Sequence, residues 1–173
     1  ILNNSKEVSA TIHYIDKGID TGNVVMQKKE TIEKELPTPY DFLRQTTILF
    51  HDLIDDFFIN LDEIILSNGI IQPKDAGSYF PRLITEDNGA IDWTINGDLI
   101  ERTIRAFSYP YPGAFTYLNG NKIKILSSRY HKEDHSLHPL MYGRIINFLS
   151  SGTAKVVVKG GYILVDEVKE LSG

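Results

Sequence analysis

Between Tyr40 and Ser67 apolar residues return at helical spacing, through Phe42, Leu43, Leu49, Phe50, Leu53, Ile54, Phe57, Phe58, Leu61, Ile64 and Ile65. No other stretch dictates as much of the fold. The spacing predicts one long amphipathic helix with a wide apolar face. Thr38-Pro39 supplies an N-cap and a first-turn proline, and Asn68-Gly69 supplies the stop. Upstream, Thr11-Ile12 and Val24 to Lys28 read as extended segments. Downstream, Gly69 to Thr94 reads as a polar linker punctuated by Pro73, Gly77, Pro81 and Gly89. A short helix is expected from about Asp98 to Phe107, then a Pro/Gly turn from Tyr109 to Gly113. Five strand-like runs follow: Phe115–Leu118, Lys122–Ser127, Tyr142–Leu149, Ala154–Val158 and Tyr162–Val165, the last soon ending a compact region. Turn signals at Asn119-Gly120, Ser151-Gly152 and Gly160-Gly161 separate most of them, which argues a small open β-barrel or sheet.

Composition excludes some classes. The chain has 173 residues, 42% hydrophobic and 24% charged, enough for one core or for a part-domain plus a small second one. No apolar run approaches the twenty or so residues of a membrane span, and no signal peptide is visible. With no cysteine there is no disulfide framework, and a cytoplasmic location is the default expectation. The opening at Ile1, without a methionine, suggests a fragment. Net charge is −5, divided unevenly: residues 1–120 carry 10 Lys+Arg against 18 Asp+Glu, and residues 121–173 carry 8 against 5. The basic excess of the tail forms no dense stripe, so charge gives little support to a nucleic-acid surface.

The run Thr11 to Gly22, T-I-H-Y-I-D-K-G-I-D-T-G, carries the chemistry. A β-branched strand bearing His13 breaks into a loop where Asp16, Gly18, Asp20 and Gly22 alternate. Glycine supplies backbone angles that bulky residues resist, and Asp tolerates the same region. Such a loop serves a plain turn, a metal or an active site. Calcium fits poorly, because Val24-Val25 stand where an EF-hand needs further oxygen ligands. Zinc fits worse, since His13 has no partner histidine at ligand spacing. His51 with Asp55-Asp56 suggests a metal face less readily than the solvated side of a helix. No metal is expected.

The loop resembles the second catalytic segment of the folate-dependent formyltransferases, G-V-T-[IV]-H-x-[IVM]-D-x-G-x-D-x-G, with Ser9-Ala10 replacing Gly-Val. A second block is similar to the linker and C-terminal region of the methionyl-tRNA and sugar-amine formyltransferases. It comprises I-D-W at Ile91 to Trp93, I-E-R-T-I-R-A-F at Ile100 to Phe107, and P-Y-P-G-A-F-T-Y-L-N-G at Pro110 to Gly120. The resemblance implies an α/β chain in two parts. Residues 1–72 would be the C-terminal portion of a Rossmann-like formyltransferase domain, 73–96 a linker, and 97–173 a helix plus a small β-rich, OB-like open barrel. It also implies 10-formyltetrahydrofolate as formyl donor and Asp20 as a catalytic carboxylate. Tyr14, Ile15, Asp16 and Ile19 would form a wall of the folate pterin pocket, and His13 would line the substrate side or serve structure alone.

The family's remaining catalytic pair, from an Asn-x-His motif, occurs nowhere in this chain, nor does the S-x-L-P loop that follows it. The chain by itself is therefore expected to be inactive. For the formyl acceptor, the acidic composition and the phrases Y-F-P-R-L (Tyr79 to Leu83) and H-P-L-M-Y-G-R-I (His138 to Ile145) favour a nucleotide-linked amino sugar over initiator methionyl-tRNA. Arg82, Arg105, Tyr109 and Tyr111 are the candidate sugar-nucleotide contacts. The plainer alternative has Arg105 paired with a nearby acid and the tyrosines packing a junction. Trp93 reads as a core anchor between subdomains. A non-catalytic module that keeps the loop by descent is the reading from another class, and free edges in the β-rich tail are compatible with a homodimer.

Overall fold

The computed structural model describes residues 1–73, 77–134 and 137–170. The chain divides into two compact units, Lys6–Arg82 and Ile1–Ser5 with Leu83–Gly173.

In the first unit, β1 (Glu7–His13) and β2 (Val24–Thr31) form an antiparallel pair, with Val8 opposite Glu30 and Ile12 opposite Met26. The helix α1 (Pro39–Ile59) starts from a capping box in which Asp41 N–H donates to Thr38 Oγ1 and Thr38 N–H donates to Asp41 Oδ2. It turns Leu49 and Leu53 onto Val8, Ala10 and Ile32. The single helix expected to Ser67 is two. Asn60 leaves helical geometry and its side-chain amide donates to the Asp56 carbonyl at 2.7 Å, after which α2 (Leu61–Ile65) restarts. Asparagine competes for backbone groups in this way. Among the described residues no parallel strand pair joins β1 and β2, so this unit holds no doubly wound sheet. The ten residues between the two strands contain no helix and are too few for a crossover.

The second unit carries α3 (Thr85–Asn88), α4 (Gly97–Ala106), β3 (Ala114–Leu118), β4 (Asn121–Lys132), β5 (Ile145–Phe148), β6 (Ala154–Val158) and β7 (Gly161–Glu170). The strands form one antiparallel sheet in the order β3-β4-β7-β6-β5, open at β3 and β5. Asn119 and Gly120, at φ 52° and 86°, make the tight hairpin that the sequence promised. Two elements run longer than their apolar spans. Register shifts between Ile125 and Ser128 let β4 continue to Lys132, and β7 extends past Val165 to Glu170, opposite Ile123. Ladder hydrogen bonds, not side-chain burial, hold that polar end, so the region is not as short as expected. The linker also contains α3, whose start is closed by Ile84 N–H donating to Asn88 Oδ1 at 2.9 Å.

The core of this unit joins Ile100 and Ile104 of α4 to Ile125, Val156, Val158, Ile163 and Val165 of the sheet. Trp93 packs against this same core and its indole N–H donates to Thr116 Oγ1 at 2.9 Å, so it anchors inside one unit.

Candidate functional site

The loop from Tyr14 to Asn23 closes the β1–β2 hairpin, and polar contacts set its shape. Asp16 Oδ1 accepts from Gly18 N–H at 2.9 Å and from Thr21 Oγ1 at 2.6 Å, an Asx-type curl closed by a hydroxyl. The Thr21 hydroxyl, then the Gly18 amide, lower the Asp16 carboxyl from its ordinary range, so it stays ionised and keeps accepting. Gly22 passes so close beneath Tyr14 that a Cβ would collide with the Tyr14 carbonyl oxygen. At the other end, Tyr14 N–H donates to the Asn23 carbonyl at 3.0 Å.

Several groups between Ser67 and Gln72 fasten the loop from outside it. Tyr14 Oη donates to the Ser67 carbonyl at 2.9 Å, and Asn23 Nδ2 donates to the Asn68 carbonyl at 2.7 Å. Val24 and Ile70 exchange backbone hydrogen bonds of 2.8 and 2.7 Å. Gln72 Nε2 donates both to the Asp20 carbonyl, at 2.9 Å, and to the Gly22 carbonyl, at 2.6 Å. Sequence reasoning missed Gln72 and Asn23, because each acts on a partner about fifty residues away or joins two segments that no local pattern links. Thr21 was findable, since a hydroxyl five residues after Asp16 is a local closure.

The result presents Asp20 at φ 56°, in the left-handed region, with its side chain 84% exposed. His13, at the end of β1, brings Nε2 to 3.5 Å from Asp20 Oδ1, while its Nδ1 lies 2.9 Å from the Tyr14 carbonyl. A carbonyl only accepts, so this contact places the Nδ1 proton on the ring, and Nε2 is the nitrogen turned to the carboxylate. Ile15 and Ile19 stand out at 96% and 91% exposure, giving the loop an apolar surface beside its two acids.

The other expected contacts lie elsewhere. Arg82 is exposed, at the end of the first unit. Arg105, Tyr109 and Tyr111 belong to the second unit. Arg105 is buried in α4, its Nε donating to Glu101 Oε1 at 2.8 Å, the internal pairing that was the plainer expectation. Tyr109 and Tyr111 are exposed on the turn after α4. Of the acids suspected of a metal face, Asp56 pairs with Lys28 at 2.6 Å. A cavity of about 200 Å³ opens in the second unit between Trp93, Tyr117, Phe148 and Val168, and no expected site residue lines it.

One unit carries a hairpin loop with a carboxylate beside an imidazole and the other an open antiparallel sheet, and with their helices they make an α/β protein. Residues 83–173 match the family model described as the formyl transferase C-terminal domain, and the chain belongs to the formyltransferase family. It is 33% identical over 154 residues to the methionyl-tRNA formyltransferase of Nitrosomonas europaea, a match covering 84% of this chain and 44% of that protein. The chain thus spans less than half the length of this curated relative. Two solved structures share its fold. One is the N-formyltransferase from Helicobacter canadensis in complex with folinic acid and dTDP-3-aminofucose. It has a TM-score of 0.61 and 24% identity, over 98% of this chain and 58% of that one. The other is the methionyl-tRNA formyltransferase from Clostridium thermocellum, with a TM-score of 0.58 and 18% identity, over 97% and 58%. No helix among the described residues is long and apolar enough to cross a membrane.

Proposed function

We propose that this chain forms half of the catalytic site of a folate-dependent formyltransferase, with Asp20 as its acid–base carboxylate. The observation that carries the reading is the Asp20 carboxylate, exposed and held in a left-handed loop with His13 Nε2 3.5 Å away. An amine attacking a formyl carbon must shed protons while a tetrahedral oxyanion builds. A carboxylate beside the attack can accept those protons through water and attract the ammonium form of the acceptor. The oxyanion needs separate preorganised donors, which in this reading come from an Asn-x-His segment absent from the sequence. The exposed Ile15 and Ile19, with the backbone of Tyr14 to Asp16, offer an apolar wall of the kind a flat pterin packs against. The formyl donor in this reading is 10-formyltetrahydrofolate. Arg82 in the first unit, and separately Tyr109 and Tyr111 in the second, stay candidate substrate contacts, and Arg105 has the weaker claim because it is paired with Glu101.

For the acceptor, the names of the sequence relatives favour methionyl-tRNA, and at 33% identity they weigh more than a structural likeness at 24%. That reverses the order that composition and the Tyr79–Leu83 phrase suggested. A nucleotide-linked amino sugar remains the second reading, supported by the net charge of −5, which gives a polyanionic RNA little to grip. The test is formylation by the whole protein that carries this chain, supplied with 10-formyltetrahydrofolate and either methionyl-tRNA or a dTDP-amino sugar. Formylation of methionyl-tRNA supports the first acceptor, and formylation of the sugar alone replaces it with the second. No formyl transfer to either would overturn the reading in favour of a non-catalytic module.

A further inference from the structure

We infer that Gln72 is a positioning residue for Asp20, fastening the backbone that decides where the carboxylate points. Its kinetic consequence rests on the formyl-transfer reading; its structural consequence does not. The Asp20 side chain is 84% exposed, with His13 its ionic neighbour among the described residues, so side-chain packing does little to aim it. Its direction is inherited from the main chain, and that main chain sits at φ 56°, in a region that Asp tolerates but does not prefer, so contacts from outside help to fix it there.

Among the contacts that fasten the loop, one amide bonds the backbone of Asp20 itself. Both protons of Gln72 Nε2 are spent on the loop, on the Asp20 carbonyl at 2.9 Å and the Gly22 carbonyl at 2.6 Å. Two carbonyls two residues apart can converge on one nitrogen only if the chain between them is curled, so the pair of bonds selects the curled form. Gln72 is itself set in place by its own segment. The Val24–Ile70 backbone pair and the Asn23–Asn68 bond fix the two residues' approach, and Gly69 at φ 64° turns the chain between them. The side chain is half-buried, so water competes weakly for its protons. A glutamine whose purpose was general stability would serve as well by bonding anywhere on the loop; this one bonds the carbonyl of the residue that bears the carboxylate.

The test compares Gln72→Glu, equal in size but unable to donate when ionised, with Gln72→Ala. On the chain itself, amide hydrogen exchange at Gly18, which donates to Asp16 inside the curl, and at Tyr14, which donates to the Asn23 carbonyl across its mouth, should rise about tenfold in both variants as the curl loosens. Exchange in β1 and α1 should hold. In the whole protein, kcat should fall about thirtyfold while the KM for the formyl donor stays within about threefold, the split expected when a reacting group is misplaced. Unchanged loop exchange overturns the inference, and so does an activity loss that lies wholly in KM. Should the unaltered protein transfer no formyl group, the functional reading fails alone, and exchange at the loop still decides the role of Gln72.

Discussion

In the C-terminal unit, Ile100 and Ile104 of α4 press into a sheet that answers with Ile125, Val156, Val158, Ile163 and Val165. In the N-terminal unit the buried set is Val8, Ala10, Ile32, Leu49 and Leu53, while Leu43, Phe50, Phe58, Ile65 and Leu66 stand exposed. One unit stores its stability in apolar packing. The other spreads a small core under a loop whose geometry depends on hydrogen bonds accepted by Asp16 and donated by Tyr14, Asn23 and Gln72. Burial of apolar surface is insensitive to which side chain supplies it, whereas a hydrogen bond is lost with a single atom. The Asp20 loop therefore belongs to the unit with the smaller buried set, which polar substitutions and truncations alike disturb more, while the C-terminal unit has the larger core to absorb a single loss.

The largest effect expected from this contrast is kinetic. Asp20→Asn keeps a residue that tolerates the left-handed region, so the loop should fold as before. Losing the carboxylate should lower kcat of the whole protein by roughly 1,000-fold, about 4 kcal/mol of barrier. The thermal midpoint should stay within a degree or two. A variant with near-normal kcat would remove Asp20 from the chemistry and return the loop to a plain turn.

Next come paired truncations of the two cores. Leu53→Ala and Ile163→Ala each delete a fully buried side chain, a change that costs about 2–5 kcal/mol. Followed by chemical denaturation with exchange or NMR readout, Ile163→Ala should shift the C-terminal unit's midpoint and leave it folded. Leu53→Ala removes a member of a much smaller buried set and should unfold the N-terminal unit under native conditions. Equal, purely graded losses in both units would break the contrast between them.

Much of this was legible in the sequence, and the exceptions have physical causes. Periodicity located α1, α4 and the strands, because apolar spacing is a direct record of which face is buried. It overran at Asn60, where a side-chain amide competes for the backbone within a stretch whose apolar pattern never falters. It fell short at β4 and β7, whose polar ends are held by ladder bonds that leave no hydrophobic mark. At the site, the Asp-Gly alternation disclosed the bend, and likeness to a known motif singled out Asp20. Gln72 left no trace, since its two partners lie about fifty residues upstream and no local rule joins them. Arg105 had two readings, a phosphate contact beside the Pro-Tyr-Pro-Gly turn or a partner for a nearby acid, and the fold supplies the second in Glu101, four residues back on the same helix.

The smallest effect concerns the cap of α1 and is read by acid. Burial pushes the Asp41 carboxyl up, but hydrogen bonds from Lys34 and Thr38 outweigh it and hold the group at about 2, against an ordinary 3.8. Because the folded value lies below the unfolded one, the cap contributes fully above about pH 4. As pH falls from there toward about 2 the unfolded chain takes up the proton first, and the contribution drains away. A capping carboxylate of this kind is worth about 1 kcal/mol. Asp41→Asn should therefore lower the thermal midpoint of the N-terminal unit by about 4–8 °C at pH 7, and the gap between variant and parent should shrink to nothing by about pH 2. A gap that stays constant across that range would mean the helix start owes its stability to Thr38 and Pro39, with the carboxylate a bystander.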